Sequence, residues 1–232
     1  MKITKITITQ TITNHASAQA HIVAMPDPNS MSIEEVIDRI IILNDGLQRF
    51  WGNATGWASL EAAQLLTESR LDWQVSLSHC LKLWTSSSST EDAAGRLILA
   101  WANLGSLVEG SLKLLLSVWY ESYKTDVEAI KRNGKLREPD RLELELLRQF
   151  FKKCIWDDSL DGVVQRIQQR RNAIHAFADR DIGTHEELLA DIRVYLQLLR
   201  YINFRLPYPD EIYIPQETHP DTPNEFLYQS YF

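Results

Sequence analysis

From Ser32 to Leu206 apolar residues recur at spacings of three and four, and this helical period constrains the fold more than any other feature of the chain. Val36, Ile40, Leu43 and Leu47 mark one such stripe, and Leu142, Leu144, Leu147 and Phe150 mark another. A third runs through Leu188, Ile192, Tyr195, Leu199 and Ile202. Ser32 with Glu35, and Thr184 with Glu187, have the spacing of capping boxes that open helices. Further helices are expected over Trp57 to about Ser69, Leu71 to Trp84, and Glu91 to about Tyr123. Asp157-Asp158-Ser159 caps one more, from about Leu160 to Phe177. Gly95, Ala102, Gly105, Ser106 and Gly110 let a neighbouring backbone, or a second copy, approach the long helix closely. The pattern predicts a mainly α protein built as a helical bundle.

Strand signals are confined to the ends. Ile3 to Thr13 alternates isoleucine with threonine, and Asn14-His15-Ala16 turns it onto a second strand from Ala18 to Met25, an N-terminal β-hairpin. Glu211-Ile212-Tyr213-Ile214 is the candidate third strand. The run Thr85 to Thr90 is the clearest linker. It divides the chain into a hairpin plus helical region over 1–88 and a bundle over 89–206. An extended tail over 207–232 is expected along the surface. Asn133 to Pro139 reads as a turn-rich, basic loop.

Composition sets the class: 44% hydrophobic and 24% charged residues are ordinary globular values. The seven tryptophans fall between Trp51 and Trp156, marking a densely packed stretch. No apolar run reaches the roughly 18 residues of a membrane span. Met1-Lys2-Ile3-Thr4-Lys5 lacks the apolar core of a signal peptide. The expectation is a cytoplasmic protein with no membrane partner. Cys80 and Cys154 are too few for a zinc centre, so neither a metal nor another cofactor is expected. The net charge is −7, yet residues 120–180 carry 13 basic side chains against 11 acidic ones. That small excess suits a local anion site, not an extended phosphate track.

The basic segment contains Gln169-Arg170-Arg171-Asn172-Ala173-Ile174-His175-Ala176-Phe177. Arginine binds phosphate bidentately, and histidine titrates unperturbed near neutral pH. Such a set can grip or cleave a phosphodiester without a metal. At 100° per residue, Leu160, Val163, Val164, Ile167 and Ile174 form an apolar stripe. Gln168, Arg171, Asn172 and His175 lie on one flank of it, and Arg166 and Arg170 on the other. Arg170, Arg171, Asn172 and His175 are the catalytic candidates; Arg166 and Gln168 are candidate substrate-binding residues. Arginines beside an apolar stripe also extend to water or pair with acids such as Asp158, Asp161 or Asp179, and that alternative stays open. Glu109, among Leu107, Val108 and Leu112, is either a buried carboxylate near the site or the edge of an apolar stripe.

Arg170-Arg171-Asn172-Ala173-Ile174-His175, late in a helix of an all-α bundle, resembles the signature of the HEPN superfamily: an arginine, four to six residues, then a histidine. A polar residue often follows that arginine. Phe177 is similar to the aromatic found there in several HEPN groups, and the resemblance spans roughly residues 91–206. Here Arg171 follows Arg170 and the asparagine falls one position later. Family spacing therefore selects Arg170, whereas the helical wheel selects Arg171. The resemblance implies a HEPN-like helical bundle acting as a metal-independent RNA endonuclease, with motifs from two chains facing one cleft of a homodimer. His175 would be general base or acid at the ribose 2′-hydroxyl, an arginine would neutralise the phosphorane, and Asn172 would orient the phosphate. Toxin–antitoxin, phage-defence and RNA-processing roles occur in the superfamily. The alternative is a non-catalytic HEPN-like module that binds RNA, a nucleotide or a protein partner such as an antitoxin. A third reading is a structural adaptor using the hairpin edge for β-augmentation.

Overall fold

The computed structural model describes residues 25–56, 58–87, 91–154, 156, 158–175, 179–210 and 213–218. Over these residues the chain is mainly helical. Helix α1 spans Ile33–Trp51 and opens where Ser32 Oγ accepts the Glu35 backbone N–H at 3.1 Å. Helices α2 (Leu60–Glu68) and α3 (Leu71–Cys80) follow, the latter continued by a 3₁₀ turn over Leu81–Trp84. The central helix α4 (Ala93–Val118) is succeeded by the short α5 (Tyr120–Thr125). Strands β1 (Lys131–Arg132) and β2 (Lys135–Leu136) precede α6 (Leu144–Cys154), α7 (Asp158–Arg171) and α8 (His185–Asn203).

Helix α4 organises the packing. Trp101, Leu104, Leu107, Val108, Leu112, Leu115 and Leu116 are buried around it, as expected of a helix with neighbours on several sides. It packs on α2, α3, α6, α7 and α8, while α1 packs on α3 and α8. Residues on both sides of the Ser/Thr linker thus enter one buried cluster, from Met31 to Leu206. A polar knot lies inside it. The Tyr195 hydroxyl meets Asn44 Nδ2 at 3.3 Å, Gln74 Nε2 at 3.3 Å and Ser111 Oγ at 3.0 Å, joining all four of α1, α3, α4 and α8. Burial raises the Tyr195 phenol above its ordinary range and keeps it neutral. No described helix is long and apolar enough to cross a membrane.

Several elements differ from expectation. The expected N-terminal strands and Phe177 lie outside the described residues, apart from Met25, which sits in a bend. Tyr213 and Ile214 are not in a strand; the Tyr213 ring instead lies 5.8 Å from that of Phe50. The tail is not confined to the surface. Pro215 packs against Gly46, where a Cβ would come within 2.6 Å of it, and the Pro215 carbonyl accepts Asn203 Nδ2 at 3.0 Å. Glu217 is buried and pairs bidentately with Arg200, itself buried. Trp73 is exposed, with the Arg70 guanidinium stacked 4.1 Å from its ring. The basic loop proves to be a β-hairpin, because Asn133 (φ 53°) and Gly134 (φ 76°) form the left-handed pair that a tight two-residue turn needs.

Candidate functional site

The motif helix α7 lies against α4 and reaches α8 on its other side. Its α-helical turns end at Arg171, earlier than expected, and Asn172–His175 form a 3₁₀ turn. The tighter turn advances each residue by about 120°, not 100°, so positions after Arg171 leave the predicted wheel. Val164 and Ile167 remain buried, but Ile174, expected on the same stripe, is 47% exposed.

The two arginines diverge as the wheel predicts, and each lies against a glycine. Arg170 is buried, 4% exposed, and its Nη2 donates to Glu187 Oε2 at 2.9 Å and lies 3.6 Å from Asp181 Oδ2. Its guanidinium carbon sits 4.9 Å from the centre of the Trp101 ring. Its Nε and Nη1 have no acceptor among the described residues. Gly183 closes this compartment: its φ is 61°, and a Cβ there would strike the guanidinium. Trp101 is held by a 2.7 Å bond from Nε1 to the Ile182 carbonyl. Glu187 completes the capping box of α8, accepting the Thr184 N–H at 2.8 Å with the same oxygen that receives Arg170. Those two hydrogen bonds hold the Glu187 carboxyl below its ordinary range, the Arg170 bond contributing most.

Arg171 turns towards α4. Its methylenes cross Gly105, where a Cβ would fall 2.6 Å from Cδ, and its Nη1 donates to Glu109 Oε2 at 2.6 Å. Lys113 takes the other Glu109 oxygen at 2.8 Å. Burial works to raise the Glu109 carboxyl, but the hydrogen bonds from Lys113 and Arg171 outweigh it and hold the group below its ordinary range. Arg171 remains 28% exposed at the side chain. His175 is exposed and Asn172 half-buried, and neither makes a side-chain hydrogen bond or ion pair among the described residues.

Of the other candidates, Arg166 is engaged with buried Asp191 through Nε at 3.0 Å and through Nη2. Gln168 is half-buried with no side-chain partner among the described residues. Asp161 does not pair with the motif; it accepts Arg148 at 2.7 and 2.9 Å and Lys152 at 2.9 Å. The partners of Arg170 are Glu187 and Asp181, not Asp161 or Asp179. Gln168, Arg171, Asn172 and His175 were expected on one flank, yet no side-chain hydrogen bond joins any of them to another among the described residues. Trp101 and Gly183 were missed because nothing local distinguishes a tryptophan or a stop-glycine that will enclose a guanidinium. Among the described residues no group of three or more His, Cys, Asp or Glu is arranged to hold a metal ion.

No family model matches the chain. No curated protein and no solved structure matches it either.

Proposed function

We propose that the chain is a HEPN-like, metal-independent RNA endonuclease acting as a homodimer, with Arg171, Asn172 and His175 as its working residues. The observation that carries this reading is an exposed His175 on a turn that α7 anchors, one turn beyond a partly exposed Arg171. Arg170 has the family spacing, but its burial against Trp101 and Glu187 suits a brace and leaves the phosphate to Arg171. In this reading His175 accepts the proton of a ribose 2′-hydroxyl, and the 2′-oxygen attacks phosphorus. The bond from phosphorus to the 5′-oxygen breaks, and that oxygen takes a proton from the imidazolium of the facing motif. The products are a 2′,3′-cyclic phosphate and a 5′-hydroxyl. Arg171, exchanging Glu109 for the phosphorane, neutralises the charge that develops.

The second reading is a non-catalytic HEPN-like module that binds RNA, a nucleotide or a protein partner. It is favoured by one fact: Arg166, Arg170 and Arg171 all carry carboxylate partners already. Incubation with labelled single-stranded RNA in EDTA separates the two. Nuclease action predicts cleavage to cyclic-phosphate ends, loss of it in His175→Ala, and a fall of roughly 10²-fold in Arg171→Ala. Undiminished cleavage by His175→Ala removes the motif from the chemistry. Intact RNA bound by the wild-type chain selects the module. Light scattering at micromolar concentration is expected to give a dimer, and a monomer would remove the shared cleft.

A further inference from the structure

The β1–β2 hairpin differs electrically from the rest of the described surface. Surface cations elsewhere meet carboxylates, such as Arg49 with Asp45, Lys82 with Asp38 and Lys153 with Glu128. The side chains of Lys131, Arg132 and Lys135 are exposed and have no hydrogen-bond, ion-pair or aromatic partner among the described residues. Arg180, elsewhere in the chain, is the only other lysine or arginine of which this holds among the described residues. Of the acids flanking it in sequence, Glu128 takes Lys153 and Asp140 lies 3.7 Å from Arg141. Glu138 makes no ion pair with the hairpin, and one of its oxygens is buried with no hydrogen-bond partner among the described residues.

Register sharpens the point. Arg132 stands directly opposite Lys135 on the antiparallel ladder, a like-charge pair that costs stability unless an anion lies between the two. The arm is also firmly mounted. The fully buried Tyr123 accepts the Ile130 N–H at 3.2 Å and donates to the Arg137 carbonyl at 2.9 Å, while Arg137 N–H reaches the Ile130 carbonyl at 2.8 Å. Burial pushes the Tyr123 phenol up to about 12, so it stays a neutral clamp at any physiological pH. The Asn133-Gly134 turn fixes the tip. Three unpaired cations are thus held out on a preorganised arm.

We propose that this hairpin is a landing site for the sugar–phosphate backbone of RNA. That the polyanion is RNA rests on the functional reading above; that it is a polyanion rests on the hairpin. A membrane-seeking arm needs apolar side chains at its tip, whereas Leu136 packs towards the core and the turn is Asn-Gly. Strands of two residues are too short to recruit a peptide strand. The hairpin comes after α4 and α5 and is mounted on Tyr123 of α5, while Arg171 crosses Gly105 of α4. The rise from Gly105 to Val118, the end of α4, is already roughly 20 Å, so one strand touching both arm and motif must be several nucleotides long.

The test is binding of a fluorescein-labelled 2′-O-methyl 20-mer, which cannot form a cyclic phosphate, to the full chain over a salt series. The variant Lys131→Gln/Arg132→Gln/Lys135→Gln is compared with the equally charged control Arg49→Gln/Lys82→Gln/Lys124→Gln. Loss of about three single-strand phosphate contacts lowers the slope of log affinity against log salt by about 2, and affinity falls roughly tenfold or more. The control keeps the wild-type slope. Equal losses in both variants, no oligonucleotide binding by the wild type at low salt, or preferential binding of phosphatidylserine vesicles through the same three residues overturns the proposal. Cleavage distinguishes it from the nuclease reading. If the chain cuts RNA, the arm variant slows cleavage of the 20-mer ribonucleotide and leaves that of a dinucleotide unchanged. Slope loss without any cleavage upholds the arm while the nuclease reading fails.

Discussion

At the scale of single residues, the two adjacent arginines do different work. Arg170 fills a compartment walled by Trp101, Gly183 and Glu187, so removing it leaves a ring face and a capping carboxylate without their partner. Arg170→Ala is expected to cost about 2–3 kcal/mol in urea unfolding, from lost packing and a desolvated cation–π contact. Arg171→Ala, on the partly exposed flank, is expected to cost about 1 kcal/mol or less, since Glu109 keeps Lys113. Equal losses in the two variants would contradict the division of labour. The wheel foresaw that the arginines leave the stripe on opposite sides, because both precede the break in helical period. His175 follows the break, and no sequence rule fixes where an α-helix tightens into a 3₁₀ turn.

Among the elements, α6 and α7 are joined by charge as well as by apolar contact. Burial works to raise the Asp161 carboxyl, and the hydrogen bonds from Lys152 and Arg148 more than offset it, leaving the group below its ordinary range. A depressed carboxylate stabilises the fold fully above its unfolded value of about 3.9 and loses that contribution as pH falls through the folded value. The urea midpoint is therefore expected to hold from pH 7 to about 5 and to drop below about pH 4. Asp161→Asn should lower stability at pH 7 by about 2 kcal/mol and flatten that acid decline. An unchanged acid decline in the variant would show that other carboxylates carry it. The Asn-Gly turn of β1–β2 was legible as a turn, but two-residue strands carry no alternation from which pairing could be read.

For the whole molecule, the tail supplies the tie that spans the most sequence among the described residues. Glu217 pairs with Arg200 from α8 and lies 3.3 Å from Arg39 of α1, while Arg200 Nη1 also donates to the Pro26 carbonyl at 2.9 Å. Glu217→Ala leaves the buried Arg200 without its carboxylate, and unfolding should become easier by about 3 kcal/mol. A loss below about 1 kcal/mol would mean that the docked tail contributes little to the fold. An acidic, proline-bearing segment reads as solvated surface, because one glutamate carries no mark of the arginine it will meet.

The sequence by itself determined most of the helices, the caps at Ser32 and Thr184, and the flank on which each motif arginine emerges. These follow from a period of 3.6 residues and from hydrogen bonds spanning three or four positions, all contained in a short window. Only the tertiary structure decided which arginine is enclosed, which carboxylates neutralise the motif and where the tail docks. Those contacts join residues 62 apart for Arg171 with Glu109 and 178 apart for Arg39 with Glu217. A guanidinium pairs with whatever carboxylate packing brings within about 3 Å, and that distance exists only once the helices have assembled.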